Sequence, residues 1–118
     1  MVRFWTHMIA ENMNVVLVAN FDEVLCGYAW ATLQERPPTL FTLPSRTIYV
    51  QQIVVERAFR RRGIGSRLLS EIDAYAEHEA AEHIVLDSLP SNEEAQMFYE
   101  RAGYSPVNMR LAKTVPTP

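Results

Sequence analysis

Apolar positions in this chain follow two patterns. Some form short continuous or alternating runs, and others recur at three and four. Trp5, Met8, Ile9 and Met13 stand at roughly helical spacing, which predicts a short helix over Phe4 to Asn12. NVVLVANF is apolar and β-branched and predicts a strand over Asn14 to Phe21. Asp22 and Glu23 offer a turn, and VLCGYAWATLQ after them predicts a second strand, so the pair reads as a hairpin. TIYVQQIVV, Thr47 to Val55, shows little alternation, as a strand buried on both faces does.

The glycine pair Gly63 and Gly65 opens the strongest helical pattern. Ile64, Leu68, Leu69, Ile72 and Ala76 fall on one face, with Arg67, Glu71, Asp73 and Glu77 elsewhere, and the pattern runs to about Ala81. HIVLDSL predicts a short strand. PSNEEAQMFYERAGY predicts a second helix, with Ser91 and Glu94 as a capping box and Gly103 as the residue that ends it. VNMRLAK predicts a closing strand. Between the second and third strands, Pro37, Pro38 and Pro44 forbid a regular ladder, leaving RPPTLFTLP as the longest loop.

A strand–helix–strand unit over 47–87 should be parallel and right-handed, whereas the early hairpin is antiparallel. The expected fold class is therefore α/β: a mixed central sheet of about five to six strands flanked by helices. Residues 1–113 read as a single domain and residues 114–118 as a flexible tail, since KTVPTP has little to bury.

Composition narrows the chemistry. The chain has 118 residues, the size of one domain, and a net charge of −3, which lends no support to polyanion binding. Arg57, Arg60, Arg61, Arg62 and Arg67 do cluster. No aromatics interleave them as in a nucleic-acid site, however, and the following helix is acidic, so no nucleic-acid partner is expected. The single cysteine, Cys26, rules out an intrachain disulfide or a cysteine-based zinc site. It lies in an apolar run and reads as a core residue. The three histidines lack ligand spacing, and no metal is expected. One cysteine fits a reduced, cytoplasmic setting. No apolar run approaches the roughly 18 residues of a membrane span, and the first residues do not read as a signal peptide, so no membrane role is expected.

The order of strand, glycine-rich turn and helix carries more than its letters. A helix begins with unpaired N–H groups and a partial positive charge. Gly63 and Gly65 let a ligand approach that backbone closely. Together these make an anion site suited to a phosphate or pyrophosphate. No Lys-Ser or Lys-Thr follows, so it is not a Walker A loop. Leu68 stands where a third glycine would complete a dinucleotide fingerprint.

IVVERAFRRRGIGSRLLSEIDAYA followed by HIVLDSLPSNEEAQMFYERAGY resembles the core of the GNAT superfamily of acyl-CoA-dependent N-acetyltransferases. Its cofactor motif, Gln/Arg-x-x-Gly-x-Gly/Ala after a strand, matches Arg60, Arg61, Arg62, Gly63, Ile64 and Gly65. Its second motif matches Asn92, Ala95, Phe98, Tyr99, Gly103 and Tyr104. The resemblance implies that backbone groups of Ile53, Val54 and Val55 pair with the pantetheine arm of acetyl-CoA. It implies that N–H groups from Arg61 to Ser66 hold the pyrophosphate, with arginine side chains adding bonds to phosphates. Asn92 would hydrogen-bond near the pantetheine, and Tyr99 would be the general acid that protonates the departing thiolate. Backbone N–H groups near Val54 would polarise the thioester carbonyl.

The implied reaction moves an acetyl group from acetyl-CoA to a primary amine of a small molecule or peptide. The alternative is a non-catalytic coenzyme A-binding or protein-interaction module. The proton acceptor stays open, because the third strand offers Tyr49, Gln51 and Gln52 but no carboxylate. A water chain, Asp87, or an amine that arrives neutral are the choices. The family's usual first strand and first helix have no counterpart here, and an uncovered sheet edge leads us to expect a homodimer.

Overall fold

A computed structural model describes residues 4–41, 43–107 and 109–118. The chain forms two compact units that divide between Asp87 and Ser88.

The first unit is built on a five-stranded sheet: β1 (Phe4–Glu11), β2 (Asn14–Phe21), β3 (Val24–Arg36), β4 (Ser45–Val55) and β5 (His83–Leu86), in that spatial order. The first four strands are antiparallel neighbours, and β5 runs parallel to β4. Two tight turns explain the two hairpins. Asn12 and Met13 (φ 50° and 67°) and Asp22 and Glu23 (φ 47° and 68°) are consecutive left-handed pairs, whose twist matches that of the strands they join.

The helix expected over Phe4 to Asn12 is not formed. The segment is β1, paired with β2 from Phe4↔Phe21 to Glu11↔Asn14. An isolated helix of this length is marginal. The turn at Asn12–Met13 instead folds the segment onto a ready strand that satisfies its backbone.

One helix, α1 (Ile64–His78), covers one face of the sheet. Its buried residues are Ile64, Leu68, Leu69, Ile72 and Ala76, the face its periodicity predicts. They meet Val15, Leu17 and Ala19 of β2, Ala29, Ala31 and Leu33 of β3, and Ile48 and Val50 of β4 as one buried apolar layer. Each buried Leu or Ile is worth about 1.5–3 kcal/mol relative to exposure. Cys26 is fully buried, and its Sγ donates to the Ala19 carbonyl at 3.2 Å; burial pushes the thiol pKa up, so it is packing and not a nucleophile. The helix stops at His78, short of Ala81, because Ala80 turns left-handed (φ 54°). The N–H groups of Ala80 and Ala81 then bond back to Glu77 and Ala76, closing a Schellman cap.

The second unit contains α2 (Glu93–Arg101). Its N-cap is Asn92, whose Oδ1 accepts from the Ala95 N–H at 3.1 Å; the box expected of Ser91 and Glu94 lies one residue out of register. Gly103 (φ 98°) ends the helix as predicted, with Gly103 N–H bonded to Glu100 and Tyr104 N–H to Tyr99. The closing strand expected at VNMRLAK is not formed among the described residues. Val107, Met109 and Leu111 alternate in sequence as in a strand but are exposed, and this unit contains no strand among the described residues.

Candidate functional site

In the first unit the site begins where β4 and β5 part. They pair only from Thr47↔His83 to Val50↔Leu86, so residues 51–55 of β4 run on with β3 on one side and, among the described residues, no strand on the other. A β-bulge stands at the parting point. Ala31 faces Val50 and Trp30 faces Gln52, leaving Gln51 as the extra residue. Bulges bend and twist a strand, which turns β4 away from β5 here.

Backbone direction past the bulge follows from one bond. Glu56 N–H donates to the Cys26 carbonyl at 2.8 Å, so Val55 and Gly27 form a non-hydrogen-bonded pair. By alternation Val54 turns its N–H and C=O toward β3. The Val54 oxygen lies so near Gly27 that an added Cβ would sit 2.8 Å from it. Ile53 and Val55 turn theirs to the open side. Among the three predicted residues, Val54 differs from its neighbours in turning its backbone to the β3 ladder. Arg60 Nε donates to the Val55 carbonyl at 3.1 Å, which among the described residues leaves Ile53 N–H, Ile53 C=O and Val55 N–H open.

The chain then passes through a 3-10 turn (Arg57–Phe59) into the glycine loop. Arg61 (φ 65°) and Gly63 (φ 80°) are both left-handed. This geometry turns the loop into the first turn of α1, where Arg67 N–H makes the first helical bond, to Gly63 at 3.0 Å. Among the described residues, no hydrogen-bond partner is found for the N–H groups of Arg61, Arg62, Gly63, Ile64, Gly65 and Ser66. No acidic residue stands in that turn to compete with an anion, and a Cβ on Gly63 would meet nothing within 4 Å. These groups fit a pyrophosphate.

The arginines separate by environment. Arg60 is tied to Val55, and Arg67 pairs with Glu71 at 3.1 Å. Arg62 lies over the Phe59 ring, 5.6 Å from its centre, and Phe59 in turn meets Phe21 at 5.8 Å. Among the described residues the side chains of Arg57 and Arg61 have no ion-pair or hydrogen-bond partner, so they are the free cations of the loop. The sequence does not distinguish these roles, because all are arginines within eleven positions and only the loop geometry separates them. The Gln51 bulge also escapes sequence reading, since bulge position depends on register.

The second unit carries the other two predicted residues. Asn92 uses Oδ1 as a helix cap, which leaves its Nδ2 as the donor. Tyr99 lies on α2, its ring 5.4 Å from Phe98 and 6.1 Å from Tyr104 in an edge-on arrangement. Burial raises its phenol pKa above the usual value, so it stays a neutral donor at neutral pH.

The model of the Acetyltransferase (GNAT) family matches residues 2–104. An uncharacterised protein of Mycobacterium leprae is 32% identical over 103 residues, covering 86% of this chain and 26% of that protein. The uncharacterised N-acetyltransferase YdgE of Bacillus subtilis is 29% identical over 70 residues, covering 59% of this chain and 45% of its own. The chain thus spans between a quarter and a half of these curated relatives. Among solved structures, a mutant of the BH1408 protein of Bacillus halodurans superposes with a TM-score of 0.84 at 23% identity, covering 89% of this chain and 68% of that one. The aminoglycoside acetyltransferase AAC(6')-Iy, solved with a bisubstrate analogue, gives 0.75 at 18%, covering 91% and 72%. Splayed strands, glycine loop and family match agree, and the chain belongs to the GNAT family of acetyltransferases.

Proposed function

We propose that the chain is an N-acetyltransferase that moves an acetyl group from acetyl-CoA to a primary amine of a small molecule or peptide. The observation that carries this reading is a pair of open backbone stretches, one at the end of β4 and one in the loop after it. The first is Ile53 and Val55, and the second is the N–H groups of Arg61–Ser66, for which no partner is found among the described residues. The first part suits an extended amide chain such as pantetheine, and the second suits a pyrophosphate. Arg57 and Arg61 supply free positive charge for further phosphate oxygens.

In the reaction, the amine nitrogen attacks the thioester carbonyl, whose oxygen accepts from open β4 N–H groups. The C–S bond breaks, and Tyr99 gives its proton to the thiolate. The raised pKa of this phenol supports that role, because a general acid must hold its proton until charge develops. Asn92 would reach the cofactor through Nδ2. A homodimer is part of the proposal: β1 is an edge strand with Ile9 exposed, and such edges tend to be covered. We assign the chain to the reducing cytoplasm on its free, buried Cys26.

A second reading, a coenzyme A-binding module without catalysis, is favoured by one feature: β4 carries no carboxylate. Thermal denaturation with coenzyme A and acetyl-CoA, then thiol release with a panel of amines, separates the two. Stabilisation with amine-dependent thiol release supports catalysis, and stabilisation without release supports the module. No stabilisation at millimolar ligand rejects both.

A further inference from the structure

The proton of the acceptor amine finds no carboxylate on β4, but the fold brings one beside it. The Tyr49 hydroxyl donates to Asp87 Oδ2. Ile48 and Val50 point into the core beneath α1, so Tyr49 projects from the opposite face. Tyr49 pairs with Val85, and Asp87 follows two residues on, on the same face, just past the end of β5. Thr32 faces Tyr49 from β3 and accepts from Gln51 Nε2 at 3.2 Å, so the bulge residue joins this cluster. Asp87 thus stands at the mouth of the splay, where β4 turns its open backbone away from β5.

The other titratable or charged groups of this sheet face are Tyr28 and Arg36 of β3 and His83 of β5, with His7 and Glu11 on distant β1. Among the described residues, no ion pair occupies Asp87. A carboxylate held by a phenol and left without a cation is arranged to receive one.

We propose that Asp87 is the acceptor-amine site. Its carboxylate pairs with the ammonium of a primary amine and takes one proton, and Tyr49 is the positioning residue that orients it. The proposal rests on the acetyl-transfer reading. The neutral amine then forms the new C–N bond as the C–S bond breaks. The nitrogen loses its second proton to solvent, the thiolate gains one from Tyr99, and Asp87 and Tyr99 return to their starting states through solvent. The balance is ammonium plus acetyl-CoA to amide, coenzyme A thiol and one proton.

The test uses the full chain, acetyl-CoA and four amines: putrescine, spermidine, tyramine and a lysine peptide. Acetyl-CoA should stabilise Asp87→Asn as it does the parent. Its kcat/KM at neutral pH should fall by about 100-fold or more, the scale of a lost general base. The loss should shrink at alkaline pH, where the amine arrives neutral. Tyr49→Phe should keep acetyl-CoA stabilisation and lose about tenfold in kcat/KM for the amine, the scale of one lost bond to a charged group, and this loss too should shrink at alkaline pH, where the amine arrives neutral.

Parental kcat/KM and pH profile in Asp87→Asn overturn the proposal and leave acetyl transfer standing. Acetyl-CoA stabilisation of the parent without thiol release from any amine overturns it and leaves cofactor binding standing. If acetyl-CoA fails to stabilise the parent, both readings fall. Should Asp87→Asn fail to fold, a parental kcat/KM for every amine in Tyr49→Phe, or a loss that does not shrink at alkaline pH, overturns the proposal on its own.

Discussion

Gly63 and Arg61 occupy the same left-handed region of backbone space for the same reason, and they divide the work of the loop. A Cβ on Gly63 meets no neighbour, so the cost of Gly63→Val is conformational, about 1–2 kcal/mol, together with obstruction of the ligand's approach. Arg61→Gly relieves the backbone and removes only a charge. If the cradle is mainly backbone, Gly63→Val should weaken acetyl-CoA binding far more than Arg61→Gly, which should lose no more than about tenfold, the scale of one charge-assisted bond. Isothermal titration of the two variants decides this, and the reverse order would move the site onto the arginine charges. At Tyr99, Phe should preserve acetyl-CoA affinity and slow turnover by about 100-fold, near the low end for a lost general acid. Burial raises the phenol pKa, so loss of the acid form should set in at higher pH than for an ordinary tyrosine. A parental rate in Tyr99→Phe across the pH range would remove Tyr99 from the mechanism.

At the scale of elements, close approach and capping set the energetics. Gly27 lets β3 lie against β4 beneath the start of α1, where an added Cβ would be 2.8 Å from Val54 O and 3.4 Å from Ile64 Cγ2. Gly27→Ala should therefore destabilise by about 1–3 kcal/mol, as overpacking does. It would also disturb the β4 edge next to the glycine loop, and urea denaturation measures the cost. Ala80 is the opposite case. It holds the left-handed C′ position of α1 without being glycine, so Ala80→Gly should stabilise by up to about 1 kcal/mol. A lower urea midpoint for that variant would mean the cap contributes less than its geometry implies. The amphipathic face of α1 was legible because five apolar residues repeat at helical spacing around a glycine start. The N-terminal segment was not, because four apolar residues at helical spacing cannot register a partner strand that arrives only when the turn at Asn12–Met13 folds back.

For the whole molecule, ligand linkage offers the broadest test. Acetyl-CoA at 100 times its dissociation constant should raise stability by about 2.7 kcal/mol, if it binds only the folded state. The exposed edge of β1 predicts a dimer by light scattering at micromolar concentration. A clean monomer there would show that the edge is tolerated uncovered.

Sequence alone was enough for what depends on local order: the hairpin at Asp22–Glu23, the apolar face of α1, Gly63 and Gly65 at its start, and Gly103 after α2. It was also enough for the family, because two motifs recur at the right separation. Tertiary structure decided what depends on register and proximity. Pairing placed the bulge at Gln51 and turned Ile53 and Val55, but not Val54, to the open side. Among the described residues it left Arg61 free while occupying Arg60, and it brought Tyr49 to Asp87 across thirty-eight positions of chain. The physical reason is the range of each signal. Turn conformations and helical faces arise from residues a few positions apart, whereas backbone direction and side-chain partnership exist only after strands distant in sequence have paired.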